Sequence, residues 1–129
     1  MEFDAVLLPA RRAKMIAEGL WHDRTINDDL DACVANCPDK LAVTAYRIEA
    51  GDVRRFTYRE LSAMADRVAV GLNRLGIQKN DVVACQLPNW WQFTVTYLAC
   101  SRIGAVINPL MHIFRERELN FMLKHGEAK

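Results

Sequence analysis

The stretch 76–110, GIQKNDVVACQLPNWWQFTVTYLACSRIGAVINPL, reads as strand, helix, strand. Val82 to Leu87 carries no charge and is bounded by Asn80-Asp81 and by Pro88-Asn89. A strand buried on both faces has that composition. Asn89 is placed to cap a helix, its side-chain oxygen accepting a free backbone N–H. The helix then runs toward Arg102, with no Asp, Glu, Lys, Arg or His between the two. Gly104 ends it, where a left-handed residue is needed. Ala105 to Asn108 resumes an extended run and Pro109 stops it. Two buried strands joined by a helical crossover predict a right-handed βαβ unit and a parallel sheet.

The helix is the more informative part. Trp90, Trp91, Phe93, Val95, Tyr97, Leu98, Ala99, Cys100 and Ile103 surround most of its circumference. A helix apolar nearly all round is buried in a large protein or in a membrane. A membrane span needs about 20 such residues, more than this run supplies. Two readings stay open. The chain is a piece of something larger, or it is a small domain with an apolar face that pairs two copies.

The chain has 129 residues, about one domain, 51% of them hydrophobic and 26% charged. Its formal net charge of +1 gives no electrostatic case for nucleic acid or for an anionic membrane. The start is mixed and acidic, not a basic region leading into an apolar one, so no secretory signal is visible. No transmembrane run occurs, and the expectation is a cytoplasmic protein. Cys33, Cys37, Cys85 and Cys100 read as reduced structural thiols, the last two in the buried strand and helix. Cys33 and Cys37 share a helix face but lack a nearby histidine pair, so a metal site is not indicated.

In chain order, residues 1–24 form an N-terminal arm: an extended start to Pro9, then a short helix from Ala10 to Gly19. Leu20-Trp21 is expected to plug the arm onto the body. Residues 25–129 form the main unit. Thr25 and Asp28 suggest a capping box, and Asp28, Asp29 and Asp31 crowd the first turn, where the helix dipole favours them. The inner face is expected to be Ile26, Leu30, Cys33, Val34 and Cys37. Leu41 to Ile48 and Val53 to Tyr58, around Glu49-Ala50-Gly51-Asp52, read as a hairpin. Thr57 and Glu60 give a full capping box. The helix it opens has Leu61, Met64, Ala65, Val68, Leu72 and Leu75 at spacings of three and four. Arg115 to His125 is a last helix with Leu119, Met122 and Leu123 inward, after which the βα pattern calls for another strand.

No catalytic constellation is visible. His22, His112 and His125 are far apart and without patterned partners. There is no phosphate-cradling glycine loop, no dinucleotide turn and no nucleophile elbow.

Three blocks nevertheless carry a resemblance. Phe56-Thr57-Tyr58-Arg59-Glu60-Leu61 looks like the first core motif of the adenylate-forming enzymes, the superfamily of acyl-CoA synthetases, peptide-synthetase adenylation domains and luciferases. Gly76-Ile77 with Asn80-Asp81-Val82-Val83-Ala84 resembles their next block, though Asn80 stands where glycine is usual. Leu98 to Val106 with Pro109-Leu110 resembles the second core motif, and Glu118-Leu119 sits where the family has it. Gln86-Leu87-Pro88-Asn89-Trp90-Trp91 and the arm around Gly19-Leu20-Trp21 resemble the branch of medium-chain fatty-acyl-CoA synthetases and cyclohexanecarboxylate-CoA ligases.

The resemblance implies an α/β fold, a parallel βαβ core plus an N-terminal hairpin, as the incomplete N-terminal part of the adenylate-forming fold. For a full-length parent it implies a fatty or alicyclic carboxylic acid activated with ATP and magnesium to an acyl-adenylate. Pyrophosphate leaves, and coenzyme A attacks to give the thioester. The parent's phosphate-binding loop, magnesium acid, ribose-binding aspartate and catalytic lysine match no position here. The chain alone is therefore expected to be inactive and to bind none of these groups, its partner being the remainder of its own polypeptide. The one candidate contact is the loop His112, Ile113 to Arg115, which in some acyl-CoA synthetases borders the CoA nucleotide. An ordinary surface loop is the other reading of it. The alternative to a ligase fragment is a non-enzymatic α/β domain that forms a homo-oligomer through its apolar helix.

Overall fold

The computed structural model describes residues 8–22 and 24–129. In chain order these form α1 (Pro9–Ala17), α2 (Ile26–Asn36), β1 (Leu41–Arg47), β2 (Asp52–Thr57), α3 (Tyr58–Arg74), β3 (Val82–Cys85), α4 (Trp91–Ile103), β4 (Val106–Pro109) and α5 (Glu116–His125). β3 and β4 pair in parallel, Val82 opposite Val106 and Cys85 opposite Pro109. β1 and β2 form a separate antiparallel hairpin, closed by one 3-10 turn over Ile48–Ala50 and by Gly51. The α/β architecture with a parallel βαβ core and an N-terminal hairpin is thus present.

Some boundaries differ from those expected. β3 stops at Cys85, two residues short of Leu87, because its partner β4 ends at Pro109 and the chain then turns at Met111 to Phe114. The residue before α4 is Trp90, not Asn89. Trp90 N–H donates to Pro88 O at 2.7 Å, a tight turn that moves the helix start past Asn89. Trp90 has no side chain able to cap. Pro109 belongs to β4 instead of stopping before it, and Leu110 N–H restores the bond to Cys85 O at 2.9 Å.

The link into β3 explains a departure noted in the sequence. Asn80 has φ +70° and its N–H donates 2.8 Å to Gly104 O. A left-handed backbone favours glycine, and asparagine is among the few side chains that tolerate it. Gly104, at φ +71°, cannot be exchanged so easily, since a Cβ there would sit 3.0 Å from Lys79 Cγ.

The core lies between α2, α3 and α4. Leu30, Leu61, Ala65, Val95 and Leu98 are buried together, with Val34, Val43, Met64 and Trp91 packed around them. Both capping boxes form. Thr25 N–H donates to Asp28 Oδ2 at 2.6 Å and Thr57 N–H to Glu60 Oε2 at 2.8 Å. The returning bonds run from Asp28 N–H to Thr25 Oγ1 and from Glu60 N–H to Thr57 Oγ1. These bonds, backbone first and then hydroxyl, hold both carboxyl groups below their ordinary pKa. The inner face of α2 holds at Leu30, Cys33, Val34 and Cys37 but not at its first residue. Ile26 is 49% exposed, whereas Asn27 is buried and donates to Leu98 O at 3.4 Å. With Thr25 fixed as the cap, Asn27 reaches Leu98 of α4, and Leu30 packs in one cluster with Val95 and Leu98. Leu75 is 81% exposed, because α3 ends one residue before it.

α4 is not enclosed on all sides. Val95, Leu98, Ala99 and Cys100 are buried, but Trp90 and Tyr97 are 38% and 41% exposed. Phe93 and Tyr97 pair at 6.5 Å along that open strip. No residue of α1 is buried, and Leu20 is 62% exposed, so the arm is not plugged in by Leu20-Trp21 as expected. In α5, Leu119 and Met122 are half-buried while Leu123 is exposed. The chain beyond α5 reaches β3: Ala128 bridges Val82 in parallel and Lys129 N–H donates 3.0 Å to Val82 O. That is the strand position the βα pattern calls for.

One side chain joins the three core helices. Arg102, in the last turn of α4, donates from Nη2 to Asp31 Oδ1 of α2 and to Ser62 Oγ of α3, both at 2.8 Å. Its Nε stands 3.1 Å from Asp66 Oδ1, also on α3. The Arg102 side chain is 18% exposed, but Asp31 and Asp66 are 57% and 58% exposed, so solvent still screens the ion pairs in part. Arg102→Met is expected to lower the unfolding free energy by about 2 kcal/mol. In urea denaturation, Asp66→Asn should cost less when combined with Arg102→Met than alone, which a double-mutant cycle measures.

The depressed carboxyl groups also fix the acid response. Their folded-state pKa values lie below the unfolded ones, so their stabilisation is full above the unfolded values, 3.8 for Asp28 and 4.5 for Glu60. It is lost as pH falls through the lower folded values. The thermal midpoint should drop between about pH 5 and about pH 3, and Glu60→Gln should make that drop shallower.

Candidate functional site

The loop after β4 lies at the carboxyl end of the parallel pair, where open α/β sheets bind ligands. Phe114 N–H donates to Met111 O at 3.1 Å, closing a turn with His112 and Ile113 at its corner. Both corner residues are exposed, Ile113 by 57%. Arg115 follows in an extended conformation just before α5, and its N–H donates to Glu118 Oε2 at 3.1 Å. The Arg115 guanidinium folds back on the turn, Nη1 donating to His112 O at 2.8 Å and to Phe114 O at 3.0 Å.

A residue that sequence reasoning misses supports this turn from the other strand. Gln86, directly after β3, donates from Nε2 to Met111 O at 3.1 Å and to Phe114 O at 3.0 Å. Hydropathy alone absorbs Gln86 into the strand run. The available signal is an amide placed just past an otherwise apolar stretch. The candidate residues His112, Ile113 and Arg115 thus share one turn, held from both sides. Chemically the turn offers a guanidinium, an imidazole and an apolar side chain at an exposed surface. It has no carboxylate or nucleophile positioned for bond making.

The acids near the start of α2 have other partners. Asp28 serves its capping box, Asp29 pairs with Arg24, and Asp31 pairs with Arg102. Three neighbouring acids therefore have three separate structural uses; only Asp28 and Asp29 lie in the first turn, and Asp31 falls beyond it. Among the described residues, no group of three His, Cys, Asp or Glu is placed to hold a metal ion. Cys100 is fully buried and its thiol is pushed up to about 11, first by burial and then by Cys85. The Tyr58 phenol faces Cys33 and, less closely, Cys37, and those sulfurs push its pKa up. A groove of about 430 Å³ runs between the hairpin and the start of α4, lined by Tyr46, Arg47, Arg54, Trp90 and Trp91 among others. It does not include the 111–115 turn.

These residues do not fit ATP with magnesium. No glycine-rich cradle, no metal-binding acid set and no lysine aimed at a phosphate occurs among the described residues, so no chemical step is derived through those groups. No helix among the described residues is long and apolar enough to cross a membrane.

Comparison with known proteins agrees with the geometry. Residues 30–129 match the family described as AMP-binding enzyme. The chain is 39% identical over 119 residues to a medium-chain fatty-acid–CoA ligase of Escherichia coli, covering 92% of this chain and 20% of that protein. It is 41% identical over 110 residues to a salicyl-AMP ligase / salicyl-S-ArCP synthetase of Mycobacterium tuberculosis, covering 82% of this chain and 18% of the relative. Among solved structures, the N-terminal subdomain of Klebsiella oxytoca NpsA superposes with a TM-score of 0.71 at 27% identity, over 82% of this chain and 26% of that one. The chain spans about a fifth of the length of the curated relatives it matches. It therefore belongs to the AMP-binding enzyme family, and its fold matches about a quarter of the N-terminal subdomain of an adenylate-forming enzyme.

Proposed function

We propose that the chain is the opening part of the large N-terminal domain of an ATP-dependent carboxylate–CoA ligase, one that works through an acyl-adenylate. The substrate class is a medium-chain fatty or alicyclic acid, and the enzyme is cytoplasmic. The observation that carries this reading is the likeness to a medium-chain fatty-acid–CoA ligase along nine-tenths of the chain. It includes the stretch 86–91 that resembles that branch in the sequence. In the full-length protein, ATP, magnesium and the catalytic lysine belong to segments outside residues 1–129. The part played by these residues is scaffold, and the remainder of the polypeptide is the partner that covers the open Trp90–Tyr97 strip. The turn at His112, Ile113 and Arg115 is the contribution to the coenzyme A nucleotide.

A second reading rests on the same open strip. With Trp90 and Tyr97 exposed, two copies of a self-sufficient α/β domain have an apolar face through which to pair. Light scattering of the 129-residue chain and of Tyr97→Glu separates the two. A dimer that the substitution dissociates supports pairing, and a monomer in both supports scaffold.

The enzymatic reading has its own test. The 129-residue chain, given ATP, magnesium and octanoate, cyclohexanecarboxylate or salicylate, should release no pyrophosphate above the blank. A polypeptide continued to the length of its relatives should turn over octanoate or cyclohexanecarboxylate on the order of 1–100 times per second. A preference for salicylate would replace the fatty-acid assignment with an aryl one. Turnover by the short chain would overturn the scaffold role.

A further inference from the structure

Gln86 is exposed, yet its amide nitrogen is used twice, across 25 and 28 residues of sequence, on Met111 O and Phe114 O. Those are the two carbonyls that bracket the His112-Ile113 corner. Met111 O also accepts the turn-closing bond from Phe114 N–H, and Phe114 O also accepts from Arg115 Nη1. Each carbonyl has two lone pairs, and here both of each are engaged. The turn is therefore fixed by four bonds on two oxygens, two of them from one primary amide. Few side chains can do this. A glutamate at neutral pH offers only acceptors and would set a negative oxygen against two carbonyls. A leucine offers nothing, and an asparagine is one methylene shorter.

We infer that Gln86 is a positioning residue: its amide sets the shape of the 111–115 turn and, through it, the affinity of that turn for a phosphorylated nucleotide. This rests on the coenzyme A reading of His112, Ile113 and Arg115 given above. Arg115 alone ties the corner only to itself, because its acceptors His112 O and Phe114 O both lie in the turn, whereas Gln86 ties Met111 O and Phe114 O to the end of β3. With Gln86 removed, the Arg115 side chain and the Phe114 carbonyl lose their common reference to β3. The cation is then free to leave the orientation that meets a phosphate.

The test compares a polypeptide continued to the length of its relatives, where the coenzyme A reading expects binding, with its Gln86→Leu and Gln86→Glu variants. Amide hydrogen exchange reads the turn. NMR titration with adenosine 3′,5′-bisphosphate, the nucleotide part of coenzyme A, reads the ligand through the His112 ring signals. In both variants Phe114 N–H should exchange about tenfold faster, with Leu110 N–H on β3 unchanged as the internal control. Affinity for the bisphosphate should fall about tenfold while the circular dichroism spectrum stays the same. In Gln86→Glu, lowering the pH to about 4 should recover part of the protection, since the neutral acid regains one donor. Unchanged exchange at Phe114 overturns the positioning role, as does faster exchange with unchanged affinity. A wild-type chain whose His112 signals ignore the bisphosphate overturns the coenzyme A reading and the affinity claim with it. Should Gln86→Leu fail to fold, the pH series on Gln86→Glu decides alone: no pH-linked recovery at Phe114 sinks the inference.

Discussion

The contact on which the rest depends is between α4 and its two neighbours α2 and α3. It has an apolar part and an ionic part, and the two are complementary. Leu98 and Val95 of α4 meet Leu30 of α2 with Leu61 and Ala65 of α3. That contact is non-directional and would tolerate sliding. Arg102 restricts the freedom to slide, because its planar guanidinium donates to Asp31 and Ser62 at once while standing beside the Asp66 carboxylate. The clamp also answers an electrostatic need. A cation in the last turn of α4 faces the negative end of that helix's dipole. Once α4 is held, the two strands on either side of it in sequence are brought side by side, and the parallel pair follows.

What is legible in the sequence is local. The capping boxes at Thr25 and Thr57 are readable because all their bonds lie within three residues, so the pattern and the physics have the same range. Gly104 and the uncharged strands are readable for the same reason. Asn27 is not. Its polar side chain is inside because the cap fixes where α2 starts, and periodicity favours its neighbour Ile26. Leu20 and Trp21 point to the interior on hydrophobicity alone, which says that a residue prefers burial but not whether anything is there to cover it. The candidate turn is found by likeness to a family, not by chemistry. The bonds that shape it come from Gln86, more than twenty residues away, and no short pattern encodes a contact across that distance.

The apolar circumference of α4 illustrates the same division. The sequence shows that the helix has no water-seeking side, and the structure shows which side its own neighbours reach. Val95, Leu98, Ala99 and Cys100 are buried, whereas Trp90, beside the hairpin groove, and Tyr97 stay partly exposed. The exposed aromatic strip is not an error in patterning. It is the part of the helix surface that the elements around it leave uncovered among the described residues.

The bridge between Ala128 and Val82 has a topological consequence. With β4 along one edge of β3 and Ala128 along the other, β3 is interior to the sheet, and the chain reverses its direction of travel across it. Parallel crossovers keep one hand, so the two that flank β3 must lie on opposite faces. The segments leaving the ends of β3 and β4 then diverge, and the gap between them is the switch point where doubly wound sheets open a cleft. In this protein the Gln86 amide spans that gap, turning the natural opening of the sheet into the footing for the segment beside it.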